Sequence, residues 1–590
     1  MSDLHSHGQP AGAEHANHAE PGFFGKYIFS TDHKTIGKQF MFTSLFFLLV
    51  AGLAAMVMRW QLAFPWKPVP GLGPVLYKTS QNAVSAEGYT LLVTLHGALM
   101  VFFVGIPMLV GAFGNFLIPL HIGAKDMAFP FINALSYWLF LVAGVIAVVG
   151  LVLGMGSIGP GWTFYPPLSV VTPSVALNLW IVSLFLVGLS SILGAFNYLT
   201  TIVTMRAPGL TWWRLPVTTW AQCFTAVIQL TATPLLGAAL ILLFMDRVAG
   251  TSFFLPKGLE ISGKASTASG GGSPLLWQHL FWFYGHPAVY VLILPAFGFI
   301  ADILAVFSRR PVFGYKAMVV SLGSVAALGF VVWAHHMFVS GLNPFMGMAF
   351  AVLTLAISIP SAVVVLCLLI TLFRGAIRFT TPMWFGIGFL SMFVIGGLTG
   401  IFLGTAAVDI PLHDTYFVVA HFHYVVFGGV LMAIFGATYF WYPKMFGRRM
   451  SERLGKTHFF MTFILLNAVF FPMFILGNGG HIRRIADPTF YDSLKPLQPI
   501  NVFITWAAFV MGASQLVFVG NFFWSIWRGE KVDRNPWQSA TLEWTAASPP
   551  PHGNFEMEPR VTHGPYCFKS LLDPTQTTCC QPREVVHGRA

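Results

Sequence analysis

Charged residues are scarce in this chain. Asp, Glu, Lys and Arg make up 9% of its 590 residues, whereas soluble domains carry about 25%. Hydrophobic residues make up 56%. This composition excludes an ordinary soluble protein and indicates one that crosses a membrane several times. The net charge of +11 comes from basic residues in short stretches between apolar segments, so it predicts membrane topology and not nucleic-acid binding.

Cysteine is also rare, and its spacing matches neither a disulfide framework nor a thiolate metal cluster. The five cysteines are Cys223, Cys367, Cys567, Cys579 and Cys580. Any metal centre in this chain must therefore depend on other ligands.

Twelve apolar segments are long enough to cross a membrane as helices, since a crossing takes about 20 residues. They centre near Phe47, Phe103, Val142, Val187, Thr231, Leu292, Ala326, Ser358, Met392, Gly428, Leu466 and Val510. We therefore predict an all-α membrane protein of twelve transmembrane helices. One domain would span residues 23–530, after a flexible polar tail at residues 1–22 and before a polar, surface-lying tail at residues 531–590.

Basic residues follow a one-sided pattern along the chain. They precede the first segment, follow the last and fill alternate loops; they are Lys34, Lys38, Arg206, Arg214, Arg309, Arg310, Lys316, Arg374, Arg378, Lys444, Arg448, Arg449, Arg453, Lys456, Arg528, Lys531 and Arg534. The positive-inside rule then predicts that both termini are cytoplasmic. Arg483 and Arg484 are the main exception on the other side, and such a pair suggests an anionic partner.

Six histidines fall near the ends of apolar segments, all toward the side opposite the basic loops. They are His96, His286, His335, His336, His421 and His423. A buried histidine is costly in a membrane, and imidazole is a common ligand of haem iron and copper. Six at one depth predict several metals held close together, and hence electron-transfer chemistry.

The spacing within the motif His421-Phe422-His423 separates the two imidazoles. Residues two apart on a helix point about 200° apart, so these histidines would bind two metals on opposite faces. His96 is then available as a second axial ligand of one haem, which suits electron transfer. The other haem would keep an open position for a gas.

A second group consists of His286 with the adjacent pair His335-His336. Three neutral imidazoles with an open position suit copper. Adjacent histidines converge only where the helix is irregular, which we therefore predict at this point. Tyr290 lies four residues after His286 and shares its helix face, where a phenol could supply an electron and a proton.

These motifs resemble those of subunit I of the haem–copper oxygen reductases, the cytochrome c oxidase type. The resemblance runs from about Asp32 to about Trp527 and is most specific in Trp282–Leu294, Val331–Met337 and His413–Val425. It implies an oxidoreductase and translocase that reduces oxygen to water with electrons from cytochrome c. It also implies two haems, of types a and a3, and the copper called CuB.

Roles for the histidines follow from the same resemblance. His96 and His423 would ligate the low-spin haem, and His421 the high-spin haem. The copper would lie on His286, His335 and His336. In the family, the tyrosine matching Tyr290 is covalently joined to the histidine matching His286.

The resemblance implies further ligands and partners. His413 and Asp414 match ligands of a magnesium ion shared with another subunit. Arg483 and Arg484 match arginines that pair with haem propionates; Arg59 matches an arginine near a haem formyl group, and Trp162 an aromatic near the site. The chain lacks a dicopper motif, so a subunit II is implied, with subunit III and smaller subunits, in a bacterial inner membrane.

The proton-uptake residues are mixed. Asp126, with Asn115 and Asn133, resembles the entrance of the family's D-channel. Ala288 replaces the glutamate found in many relatives. Tyr284 instead resembles a family branch with a tyrosine–serine pair, although Gly285 replaces the serine, so a water chain past Tyr284 is a hypothesis.

Two more positions depart from the family. Val364 stands where the K-channel lysine is expected, and Gln61 where relatives often have a glutamate in a cation site. The lost lysine leaves a nitric oxide reductase of the same superfamily as an alternative, against which Tyr290 counts. A solute transporter with twelve spans is a third interpretation, but it leaves the six histidines unexplained.

Overall fold

The computed structural model describes residues 22–71, 73, 82–153, 159–261, 264–265 and 270–568. Within these ranges eleven helices are long and apolar enough to cross a membrane. A shorter apolar helix, Tyr315–Leu328, supplies the predicted seventh segment. The predicted all-α class of twelve transmembrane segments is therefore confirmed. The polar residues 1–21 and the chain after residue 568 lie outside the described residues.

The spans are numbered in chain order. Spans one to six are His33–Ala63, Ala86–Ile122, Pro130–Leu153, Val175–Thr204, Val217–Val248 and Pro274–Ser308. Span seven is Tyr315–Leu328, and spans eight to twelve are Pro344–Leu372, Thr381–Gly404, Tyr416–Phe446, Glu452–Asn478 and Asp492–Arg528. Among the described residues, extended structure is limited to an isolated bridge, Thr415 with Ile482, and two short antiparallel pairs, Glu260–Ile261 with Lys264–Ala265 and Arg448–Arg449 with Glu530–Lys531.

Three spans are irregular in the region that carries the histidines. Span two widens into π-helix at Leu99–Gly105 and Pro107–Gly114, and span ten does so at Val426–Leu431. Span seven ends as an α-helix at Leu328 and continues, after a turn, as the 3₁₀ segment Trp333–Met337. Wide or tight turns of this kind often mark functional positions in a helix.

The basic side of the molecule, defined by Lys34, Arg309 and Lys444, is covered by residues 531–568. Lys34 Nζ donates to Asn554 Oδ1 at 2.9 Å, and Lys444 Nζ donates to the carbonyl of Ala546 at 2.7 Å. Both ends of the described chain therefore lie on one side.

The prediction that the C-terminal tail only lies on the surface was wrong for this part of it. Trp537 and Trp544 are buried, at 5% and 1% exposure. Lys444 is fully buried, with its ammonium over the Trp544 ring at 5.0 Å, so the tail completes the packing of the helix ends. The domain boundary at residue 530 stays a prediction.

Candidate metal centres

Three histidines converge between spans six and seven. The nearest ring nitrogens of His286, His335 and His336 all lie within 4.8 Å of one another. His286 Nδ1 is 3.3 Å from His336 Nε2, which is 3.1 Å from His335 Nε2. Nitrogens bonded at about 2 Å to one tetrahedral metal are separated by about 3.3 Å, so the group fits a single copper ion.

The local backbone explains how adjacent histidines converge. His335 and His336 lie in the 3₁₀ segment Trp333–Met337, where the turn is tighter than in an α-helix. The irregularity expected here is present. His335 Nδ1 lies 3.0 Å from Thr354 Oγ1, and the His336 ring stacks on Trp282 with centroids 3.7 Å apart. Both contacts fix ring orientation, as groups around metal ligands commonly do.

Tyr290 lies directly beside this triad. Its ring centroid is 4.7 Å from that of His286. His286 Nε2 is buried with no hydrogen-bond partner, while Nδ1 faces the other two histidines. One nitrogen of His286 is thus available to a metal and the other to Tyr290.

His421 faces span nine from span ten. Its Nδ1 lies 3.0 Å from the carbonyl oxygen of Gly396 and 3.2 Å from Thr399 Oγ1. A Cβ at Gly400 would lie 3.0 Å from the imidazole, so glycine leaves room for the ring. With Nδ1 held by span nine, Nε2 is the nitrogen left for a metal.

His423 points to the other side of span ten, toward His96 on span two. The two ring centroids are 6.3 Å apart and the ring planes differ by 16°. His423 Nδ1 is 2.8 Å from the Val419 carbonyl, and His96 Nδ1 is 2.9 Å from that of Ala51. Both Nε2 atoms are free for one metal between the rings, bonded at about 2 Å on each side.

Arg59 carries an unused donor in the same region. Its Nη2 donates to the carbonyl of Asn501 at 2.9 Å, and its Nε to Thr505 Oγ1 at 3.3 Å. Nη1 is buried without a hydrogen-bond partner in the structure. An acceptor on a bound group, such as a formyl oxygen, fits that position.

The two arginines on the side opposite the basic loops differ from each other. Arg483 pairs with Asp414 at 2.5 Å, whereas Arg484 forms no hydrogen bond with the residues described. Burial and the neighbouring Arg483 lower the pKa of Arg484 to about 10, so it remains charged at neutral pH. Gly161 leaves space for the Arg484 side chain, since a Cβ at this position would lie 3.0 Å from Arg484 Nη1. Its φ of 75° also favours glycine.

Trp162 lies between the two groups of histidines. Its ring is edge-on to Phe281 and Trp282 at 5.7 and 5.9 Å, and it covers Gly97, where a Cβ would come within 3.0 Å. It therefore packs against both the residue after His96 and the aromatic that stacks on His336.

His413 and Asp414 follow the short helix Ala406–Leu412. His413 Nδ1 lies 2.8 Å from Asp409 Oδ2, which leaves Nε2 available to a metal. Burial acts to raise the pKa of Asp414, but the Arg483 and His413 charges hold it below its ordinary value. Two adjacent protein ligands fit a magnesium ion only if others complete the shell.

The residues expected at the D-channel entrance lie at the basic side. Asp126 interacts electrostatically with His33, whose Nδ1 is 2.8 Å from the Asn115 carbonyl. Burial raises the pKa of Asp126, and His33 opposes that rise. The buried atoms Asn115 Oδ1, Asn133 Oδ1 and Asn133 Nδ2 have no hydrogen-bond partner. Such atoms suit bound water.

The remaining proton-path positions are apolar or isolated. Val364 is fully buried and Ala288 is 3% exposed. Because neither side chain has a polar atom, neither can pass a proton. Tyr284 stacks on Phe102 at 6.3 Å, and its hydroxyl bonds to no residue within the described ranges. At the position of the family's cation site, Gln61 Nε2 donates to the Ala486 carbonyl, while Gln61 Oε1 is buried without a partner among the described residues.

Several supporting contacts were not predicted from the sequence. Thr354 beside His335 and the Trp282 stacking on His336 join residues from separate elements, whereas Asp409 lies beside His413 within one helical turn. Because Asp409 and His413 are four residues apart, the sequence could have predicted their contact on a helix. The others depend on tertiary packing.

The helical bundle and its converging histidines define a membrane-bound haem–copper oxidoreductase. The sequence model described as Cytochrome C and Quinol oxidase polypeptide I matches residues 35–510, and the chain belongs to this family. It is 45% identical over 565 residues to cytochrome c oxidase subunit 1 of Synechocystis sp., covering 95% of this chain and 96% of that protein.

Further comparisons agree. Cytochrome c oxidase subunit 1 of Thermostichus vulcanus is 43% identical over 548 residues, covering 92% of this chain and 93% of that protein. A solved haem–copper terminal oxidase dimer shares the fold, with a TM-score of 0.67 at 17% identity and 84% of each chain covered. The chain is thus the catalytic subunit of a haem–copper terminal oxidase, an enzyme of respiratory electron transport.

Proposed function

We propose that this subunit reduces oxygen to water with electrons from cytochrome c and couples the reaction to proton translocation. The observation that carries the proposal is the convergence of three imidazole nitrogens within 4.8 Å, with Tyr290 against His286. The relatives named cytochrome c oxidase support this donor. They do not favour the nitric oxide reductase considered as an alternative.

Each metal centre is assigned to its own histidines. His96 and His423 would hold a low-spin haem, His421 would hold a high-spin haem, and the triad of His286, His335 and His336 would hold copper. When bound, the haems, of types a and a3, and the copper supply one-electron transfer and oxygen binding. Arg59 offers Nη1 to the low-spin haem, and the charged Arg484, with Arg483, offsets the haem propionates.

Tyr290 has a direct part in the chemistry. Its phenol holds a proton and an electron that can be transferred beside His286. Trp282 and Trp162 enclose the site, and apolar walls of this kind exclude water that would otherwise compete for protons.

Proton uptake begins on the basic side at Asp126. The amide atoms of Asn115 and Asn133 that have no hydrogen-bond partner would hold water on the membrane side of Asp126. A continuation past Tyr284 remains a proposal, since Ala288 offers no carboxylate. In Tyr284→Phe, full proton uptake would argue against that continuation, whereas slowed uptake supports it.

A second subunit completes the enzyme. Electrons need a dicopper site that this chain lacks, and His413 with Asp414 provides only part of a magnesium shell. We assign these missing parts to subunit II, and we expect subunit III and smaller subunits to cover exposed apolar surface. Span eight is the least buried of the long spans, at 22% of its most apolar window.

We propose that the enzyme lies in a bacterial inner membrane with both termini in the cytoplasm, an orientation that the basic loops support. The test uses the purified complex in sealed vesicles, with reduced cytochrome c or a quinol supplied on the side opposite the basic loops. Oxygen uptake with cytochrome c alone, and acidification on the donor side, support donor and pumping. Uptake with quinol alone contradicts the donor, and uptake without acidification contradicts pumping.

A further inference from the structure

Span five carries a row of buried polar side chains. The row consists of Thr218, Gln222, Thr225, Gln229 and Thr233, each between 0 and 3% exposed. At about 100° per residue these positions fall within about 80° of arc, so they form one face of the helix. We call it the span-five polar face. Polar residues are costly in a membrane span and commonly line a path for ions or protons.

Every member of the face has a polar atom without a hydrogen-bond partner among the residues that the structure describes. These atoms are Thr218 Oγ1, Gln222 Oε1, Thr225 Oγ1, Gln229 Oε1 and Thr233 Oγ1. The two amide groups are anchored, because Gln222 Nε2 donates to the Leu109 carbonyl at 2.9 Å and Gln229 Nε2 to Ser191 Oγ at 2.7 Å. Their free oxygens are therefore held in place. Buried polar atoms in such a row are suited to accept water as a partner.

The row begins beside an acidic group at the basic side. Asp302, on span six, is 2% exposed and accepts a hydrogen bond from the Tyr566 hydroxyl through Oδ1. Its Oδ2 is buried without a hydrogen-bond partner among the described residues, and the Thr218 side chain interacts with the same carboxylate. The unpaired carboxylate oxygen can accept a hydrogen bond from a water molecule at this end of the row.

Further exchangeable groups surround Asp302. His121 Nε2 is 3.5 Å from Glu543 Oε1, with both side chains buried, and Glu543 Oε2 is unpaired. Both groups interact electrostatically with Asp302. The half-buried Tyr315 lies 6.2 Å from the Tyr566 ring, toward the surface of the molecule.

The other end of the row reaches the depth of the candidate active site. A Cβ at Gly298 would lie 2.7 Å from Thr218 Cα, so spans five and six run antiparallel with these residues level. Fifteen residues along span five, about 22 Å of helix, bring Thr233 to the level of Tyr284 on span six. The row therefore bridges the depth from the basic side to the start of the histidine triad.

We propose that the span-five polar face holds a chain of water molecules that carries protons from the Asp302 cluster to the level of Tyr284. The inference rests on the proposed function, because oxygen reduction is what consumes the protons. Each water accepts one proton and passes on another, so no charge remains on the face. This route would serve where Val364 and Ala288 offer none.

The competing interpretation is that these side chains only pack helices together, as polar groups do in membrane proteins. The variant Thr225→Val separates the two interpretations because it removes a fully buried hydroxyl at nearly constant volume. Thr231→Val is the control, since Thr231 lies on an exposed side of the same helix and its hydroxyl is already bonded to the Val227 carbonyl at 2.8 Å.

The experiment follows proton uptake from the basic side during a single turnover of the complete complex in vesicles. We expect Thr225→Val to slow uptake about tenfold, as losing one hydrogen bond from a rate-limiting transfer would. Thr231→Val should behave as the unaltered protein. Equal uptake rates in Thr225→Val and the unaltered protein would overturn the proposal.

A second measurement does not depend on turnover. In Thr225→Cys, a small water-soluble thiosulfonate added on the basic side should label the new thiol above the background of the native cysteines. Labelling supports a wet face, and an unlabelled thiol overturns it. If the unaltered complex reduces no oxygen, the proposed function has failed, and the labelling still decides whether this face is wet.

Discussion

The imidazole rings of His96 and His423 face each other across 6.3 Å, with planes that differ by 16°. His96 Nδ1 bonds to the backbone carbonyl of Ala51, and His423 Nδ1 bonds to that of Val419, so both rings are fixed in orientation. Two helices distant in sequence thus present two fixed nitrogens to one point. This arrangement requires no induced movement to hold an iron with two axial ligands.

Removing one of these rings should remove one haem. In His423→Ala, haem content should fall from about two per complex to about one, with loss of the six-coordinate spectrum. His458→Gln is the control, since His458 is a fully buried histidine outside the metal groups that bonds to Gln515. An unchanged spectrum in His423→Ala would show that the ligand is assigned wrongly.

Copper affinity should depend on Thr354 as well as on the triad. Because its hydroxyl contacts His335 Nδ1 at 3.0 Å, Thr354→Val should weaken copper binding about 10–100-fold without changing haem content. Metal analysis after dialysis against a graded copper chelator measures this. Ser324→Ala, which removes a hydroxyl bonded within span seven, should have no effect. Equal copper retention in both variants would contradict the assignment.

Tyr290 and His286 should be covalently joined in the active protein. The unpaired His286 Nε2 and the ring contact at 4.7 Å favour a carbon–nitrogen bond. Its formation releases two protons and two electrons, which the oxygen substrate accepts. Peptide mass spectrometry should find the two segments linked and lighter by two hydrogen atoms. Tyr290→Phe should lack the link, and separate peptides from active protein would refute it.

Asp32 should stabilise the start of span one in a pH-dependent way. It caps the helix by accepting from the backbone of Lys34 and Thr35, and it pairs with Lys34 Nζ at 2.8 Å. Burial acts to raise the pKa of Asp32, but the charges of His33 and Lys34 hold it below its ordinary value of 3.8. Because the folded pKa is the lower one, this stabilisation is present above pH of about 4 and is lost as pH falls below it.

The corresponding variants separate the cap from the charge. Asp32→Ala should cost about 1 kcal/mol of unfolding free energy, and Asp32→Asn, which keeps a capping oxygen, should cost less. Thermal unfolding of the purified protein at neutral and acidic pH measures the difference. A loss in Asp32→Ala that is as large at pH 3 as at pH 7 would contradict the role of the ionised carboxylate.

The opposite directions of His421 and His423 could be predicted from sequence because helix geometry fixes the angle between residues two apart. The need for a break at His335 could be predicted too, but not its form. The 3₁₀ segment and the position of Thr354 depend on how spans seven and eight pack. No local pattern encodes that packing.

The C-terminal tail and the span-five polar face show where sequence reasoning failed. The tail is polar and proline-containing, so it was expected on the surface, yet Trp544 is buried against Lys444, far away in sequence. The helical spacing of the polar residues from Thr218 to Thr233 can be recognised in the sequence. The sequence alone does not tell whether such a face meets lipid, protein or water.

The most direct test of the whole account is oxygen uptake by the purified complex with reduced cytochrome c, with and without cyanide. Two haems, one copper and the residues around His286 predict rapid uptake that cyanide abolishes. Negligible uptake by protein that carries its full complement of haem and copper would contradict the oxidase assignment.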